Sequence, residues 1–105
     1  MNKTQTIKEG MGGFHGFNGD RYPFTVIEVI SDNKIIIQED DYKVTEKDSA
    51  FKEGPLQCNF YRNPQGHITV LTRRKNGRWV PKGMPMKTGW AWVIGERAYS
   101  RNPHF

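Results

Sequence analysis

The chain has 105 residues, with sixteen Lys and Arg against eleven Asp and Glu, and a formal charge of +5. Leu, Ile, Val and Phe number 22, enough for one small core and too few for two, so residues 1 to 105 form a single domain. Two Leu and three Ala stand against twenty-one Val, Ile and Thr, which excludes a helical bundle and points to an all-β fold.

Residues 1 to 9 are polar and read as frayed chain or a short edge, without the apolar run and small-residue cleavage site of a signal peptide. Gly10, Gly12, Gly13, Gly16 and Gly19 then interleave with Phe14, His15 and Phe17. Gly10-Met11-Gly12-Gly13 lacks the Gly-Lys-Ser/Thr of a Walker loop and the flanking strand and helix of a dinucleotide fingerprint. It reads as a turn fitting backbone closely against a neighbour. Asp20-Arg21-Tyr22-Pro23 follows; Pro restricts Tyr22 to extended geometry, which presents Arg21 at the mouth of the next strand for a phosphate or for its neighbour Asp20.

Phe24 to Ile30 is the strongest strand; Ser31-Asp32-Asn33 turns it, and Lys34 to Asp40 returns with Ile35 and Ile37 alternating against Lys34 and Gln38. Asp41 to Leu56 is polar and ends in Gly54-Pro55, so it reads as a long connection with no regular element. Gln57 to Arg62 is a short strand closed by the turn Asn63-Pro64-Gln65-Gly66. His67 to Lys75 is a strand with Ile68, Val70 and Thr72 on one face, and Asn76-Gly77 reads as a two-residue type I′ turn into Arg78 to Val80. Pro81 to Lys87 is a loop, Thr88 to Ile94 a strand with Trp90, Trp92 and Ile94 on one face, and Gly95 to Phe105 a polar tail. About six strands with little helix predict a small antiparallel barrel or strongly bent sheet.

Charge is uneven along this pattern. Residues 1 to 58 carry seven cationic and ten anionic side chains, whereas residues 59 to 105 carry nine and one, a half at +8 suited to an anion. A two-residue turn at Asn76-Gly77 sets Lys75 opposite Arg78, Arg74 opposite Trp79 and Arg73 opposite Val80. Arg73, Lys75 and Arg78 then share one face, where like charges either stand in water or hold an anion, and Arg74 stacks on Trp79.

No catalytic set emerges. Cys58 is the single cysteine and carries no sign of activation, and His15, His67 and His104 have no metal-ligand spacing. Glu39-Asp40-Asp41 reads as a solvated acidic turn. The expectation is a protein that is not an enzyme and has no cofactor and no metal site. Aromatic rings interleaved with Arg are the materials for stacking a base while pairing its phosphates.

Gly10-Met11-Gly12, Asp20-Arg21-Tyr22-Pro23 with Thr25 to Val29, Arg74-Lys75-Asn76-Gly77-Arg78-Trp79-Val80, Gly95-Glu96-Arg97 and Asn102-Pro103-His104-Phe105 occur in an order that resembles the phage Thoeris anti-defence sponge family, first type. The likeness spans nearly the whole chain and is poorest from Asp41 to Gln57. It implies a counter-defence protein of the host bacterial cytoplasm that sequesters cyclic ADP-ribose isomers without cleaving them. It also implies a homo-oligomer, dimer or hexamer, in which some members hold cyclic trinucleotides at separate sites between subunits. The family's nucleotide pocket lies between subunits, with arginines on the pyrophosphate and an aromatic ring with an arginine around adenine. Carried onto this sequence, that implies Arg21 and Arg97, with Phe60, Arg73 and Asn76, as ligand-binding residues. The alternative is a small basic β-barrel module that binds nucleic acid, its +8 half lying along the backbone. No stretch approaches the roughly 18 apolar residues of a spanning helix, so no membrane partner is expected.

Overall fold

The computed structural model describes residues 6–17, 20–45, 57–85 and 90–100. These residues form eight strands and no helix: β1 Gly12–Phe17, β2 Asp20–Ser31, β3 Lys34–Glu39, β4 Asp41–Val44, β5 Cys58–Tyr61, β6 Ile68–Arg73, β7 Trp79–Pro81 and β8 Ala91–Ile94. Six of them close an antiparallel barrel in the order β1-β2-β3-β6-β7-β8, and β4 pairs with β5 in a separate two-stranded sheet. The all-β barrel expected from composition is therefore the architecture, built from a different set of six strands.

Two expectations change. The glycine-rich segment after Gly10 is strand β1, and the connection after Asp41 begins with strand β4. The strand around Gln57 to Arg62 leaves the barrel to pair with β4, and β1 takes its place between β2 and β8. Glycine hides a strand from propensity because it adds no side chain to pack, yet here the missing Cβ is required. A Cβ on Gly13 would strike the Val93 carbonyl and the Phe24 ring, and one on Gly12 would strike the Arg97 side chain.

β2 is the corner of the barrel. Its first half pairs with β1 and its second half with β3, with a register shift between Val26 and Glu28. Such bulges bend a strand enough to serve two walls. Inside lie Phe24, Val26, Ile35, Ile37, Leu71, Trp79 and Ile94, with Ile7, Met11, Val29 and Trp92 packed against them. Ile7 shows that the segment before β1 joins the core, and Gly10 N–H donates to the Val26 carbonyl at 2.8 Å. On β6 the buried face carries Leu71, while Ile68 is exposed, because pairing with β3 sets Leu71 opposite Ile35.

Residues 95–100, beyond β8, form a strap that pairs with the edge of the first half of β2. Ala98, Tyr99 and Ser100 are buried, and Arg21 and Ser100 exchange backbone hydrogen bonds of 2.9 and 3.1 Å. Tyr99 stacks on Tyr42 of β4 at 3.9 Å between ring centres, which seats the small sheet on the strap. Among the described residues no helix is long and apolar enough to cross a membrane.

Candidate functional site: a basic cleft on the barrel seam

The β6–β7 turn determines which side chains meet. Gly77 N–H donates to the Arg74 carbonyl and Arg74 N–H to the Arg78 carbonyl, with Gly77 at φ +86°. This is a type I turn followed by a glycine bulge, one residue longer than the two-residue I′ turn expected from Asn-Gly. The extra residue shifts the register, so that Arg73 faces Trp79 and Thr72 faces Val80. Arg73, not Arg74, lies over the Trp79 ring, 5.7 Å from its centre.

Arg74 takes a structural post instead. Its guanidinium donates to Thr72 Oγ1, to the Pro81 carbonyl and, at 2.8 Å, to the Met84 carbonyl, tying the hairpin to the loop behind it. Arg73 Nε donates to Asn33 Oδ1 at 3.3 Å and so joins the hairpin to the β2–β3 turn. Arg78 Nη2 donates to the Trp90 carbonyl at 3.3 Å, across to the chain entering β8.

These side chains border an open cleft of about 890 Å³, lined by Arg73 to Trp79, by Ala91 to Ile94, and by Ile7 and Asn33. Its floor is apolar, made by Trp79, Trp92 and Ile94 from the edge of the core. Its rim is cationic, with Arg73 half-buried and Lys75 and Arg78 exposed. The cleft overlies the β7–β8 seam, where the barrel closes through the single pair Trp79 and Trp92. Arg73 already covers the Trp79 ring, so the cleft offers forked donors beside apolar side chains, a lining that suits an anionic group with an apolar part.

Of the residues implied by the resemblance, Arg73 and Asn76 meet in this cleft. Arg21 and Arg97 lie elsewhere, at the strap, and Phe60 lies on the small sheet. Arg21 Nη1 lies 3.4 Å from Ser100 Oγ, and its guanidinium carbon lies 5.7 Å from the centre of the Phe14 ring. Arg97 Nε donates to Asp40 Oδ2 and its Nη2 to Thr25 Oγ1, both at 2.8 Å, while Thr25 Oγ1 donates to Asp40 Oδ1 at 2.6 Å. Asp40 is thus a buried carboxylate with an Arg partner, not part of a solvated acidic turn. Phe60 lies opposite Tyr42 on the small sheet.

No protein-family model, curated protein or solved structure matches this chain. The chemistry of the cleft itself carries the functional reading. Sequence reasoning passed over Trp92 and Asn33 as site residues; the indole signal was present in Trp90-Ala91-Trp92, but the β7–β8 closure that brings Trp92 beneath the hairpin is a long-range pairing.

Proposed function

We propose that this chain is a binding protein that captures a nucleotide-sized phosphorylated ligand in the seam cleft and does not cleave it. The observation that carries the reading is the convergence of Arg73, Lys75 and Arg78 with the indoles of Trp79 and Trp92 around one open space. Arg suits capture without reaction, because its planar fork pairs with phosphate, stays charged and stacks on a base. The resemblance of the sequence to the Thoeris anti-defence sponges names the ligand class: a cyclic ADP-ribose isomer, sequestered as a counter-defence act in the host bacterial cytoplasm.

Capture at low signal concentration requires a dissociation constant near 10 nM, about 11 kcal/mol, which an open cleft reaches with difficulty. A homo-oligomer, dimer or hexamer, in which the strap of one copy covers the cleft of another would enclose the ligand and unite Arg21, Arg97 and Phe60 with Arg73 and Asn76. Cyclic trinucleotides belong to the same proposal as ligands of other subunit boundaries.

Calorimetric titration with cyclic ADP-ribose isomers, followed by heating the complex and weighing the released molecule, tests this. Tight binding with an intact ligand released is expected, and a cleaved product would overturn it. One observation favours a second reading: the cleft is open and flanked by exposed Lys75 and Arg78, so a nucleic-acid strand could cross it. That reading requires affinity for long DNA or RNA that falls steeply with salt; the sponge reading requires neither.

A further inference from the structure

Among the cations of the cleft, Arg73 is held on two sides and left open on a third. Its backbone N–H donates to the Asn33 carbonyl at 2.8 Å, its Nε donates to Asn33 Oδ1 at 3.3 Å, and its guanidinium lies over the Trp79 ring. One edge and one face of the planar group are thereby occupied, while Nη1 and Nη2 make no hydrogen bond to a described residue. Arg74 is engaged in the opposite way, with Nε on Thr72 and Nη2 on the loop behind the hairpin.

The group that holds Arg73 is an amide, not a carboxylate. Where the strap arginine Arg97 is fixed, the partner is the Asp40 carboxylate at 2.8 Å. An ion pair at Arg73 would cancel the charge that an incoming anion needs, whereas Asn33 orients the guanidinium and leaves its charge whole. Arginine only donates, so the Asn33 atom facing it is the carbonyl oxygen. The Asn33 Nδ2, with both its hydrogens, then makes no bond to a described residue, and Asn33 is exposed and lines the same cleft. Its own N–H donates to Ser31 Oγ at 3.3 Å, within the turn that joins the paired residues Ser31 and Lys34.

We infer that Asn33 is a specificity-determining residue of the cleft: it presents Arg73 end-on to a phosphoryl group and adds Nδ2 as a second, neutral donor to that group. The inference rests on the reading of the cleft as an anion site. Asn33 closes the Nε side of the guanidinium, so the pairing left to a ligand is the one through Nη1 and Nη2, which matches two non-bridging oxygens of one phosphate. Because the fork is ordered before the ligand arrives, less side-chain freedom is lost on binding.

The test is a nuclear magnetic resonance titration of the full chain with inorganic pyrophosphate, made on the unaltered protein and on Arg73→Ala, Asn33→Gly and Asn33→Asp. Glycine and aspartate both suit a two-residue hairpin turn, and thermal melts verify that each variant is folded. Asn33→Asp keeps an oxygen on Arg73 Nε and adds an ion pair there, so a residue that merely braced the hairpin would tolerate it with binding intact. Expected instead is affinity about fivefold weaker in Asn33→Gly and about twentyfold or more weaker in Asn33→Asp, whose melting temperature is unchanged or raised. Binding lost in Arg73→Ala but undiminished in both Asn33 variants would overturn the inference and leave the anion reading of the cleft standing. An unaltered protein without saturable shifts at the cleft residues would overturn both.

Discussion

Arg97 illustrates how a residue chosen for one task is held by another. Its fork spans Asp40 and Thr25, and Gly12 supplies the room for its side chain to lie against β1. Removing the guanidinium leaves Asp40, whose side chain is 1% exposed, as a buried carboxylate without its counter-charge. Arg97→Ala is therefore expected to cost about 3 kcal/mol of stability, read as a lower denaturant midpoint in the absence of any ligand. An unchanged midpoint would show that the Arg97–Asp40 pair contributes nothing to stability. The hairpin arginines divide in the same way. Arg73→Ala and Arg78→Ala should each weaken nucleotide binding about tenfold or more and leave the fold intact, since charge-assisted contacts to phosphate are worth about 1.5–3 kcal/mol. Arg74→Ala should instead lower stability by about 1 kcal/mol through its lost bonds to Pro81 and Met84, with a smaller effect on affinity. Calorimetry beside thermal melts separates the two patterns. The residue types of the cleft were legible in the sequence; the exchange of roles between Arg73 and Arg74 was not, because a single bulged glycine decides it.

At the scale of elements, what was legible followed period and turn chemistry, and what was not followed close approach. The β2–β3 hairpin announces itself through β-branched runs around a polar turn, and both Ile35 and Ile37 are buried as their alternation requires. β1 announces nothing, because three of its six residues are glycine. Its identity as a strand rests on partners distant in sequence: Phe24 on one side, and Val93 and Ile94 on the other. The strap is invisible for the same reason, since its polar composition conceals the burial of Ala98, Tyr99 and Ser100. Gly13 makes the cost of this concealed packing measurable. A methyl group there meets the Val93 carbonyl and lies 2.6 Å from the Phe24 ring, one a backbone atom of β8 and the other a wholly buried core side chain. Gly13→Ala is expected to destabilise by about 2 kcal/mol and to lower the melting temperature by about 10 °C, despite alanine's smaller backbone entropy cost. A melt that is unchanged or raised would mean that β1 can move away from β8 without penalty.

For the whole molecule, barrel closure converts a charge asymmetry along the chain into one across space. The acidic first half and the basic second half are laced together by the β3–β6 and β1–β8 pairings, so neither half stands as a separate lobe. The cationic hairpin rims the seam cleft, while Asp20 pairs with Phe17 at the end of β1 and Glu39 contacts His15 within it. Closure itself is uneven. β2 and β3 share six registered pairs and β3 and β6 share five, whereas β7 and β8 are joined by the one pair Trp79 and Trp92. Local opening follows the weakest set of backbone bonds, so amide exchange in β7 should proceed through seam opening at a free energy below that of global unfolding. β3 and β6 amides should exchange only with the whole barrel. A ligand in the cleft contacts both sides of that seam and binds only while it is closed. At a hundredfold excess over its dissociation constant it should slow β7 exchange about a hundredfold, equivalent to about 2.7 kcal/mol, by linkage alone. The comparison is made residue by residue with and without a cyclic ADP-ribose isomer. Equal protection of β7 and β3 in the free protein would mean that the Trp79 and Trp92 side chains lock the seam as firmly as a full ladder. A ligand that slowed β3 and β7 alike would be stabilising the barrel as one unit, not closing its seam.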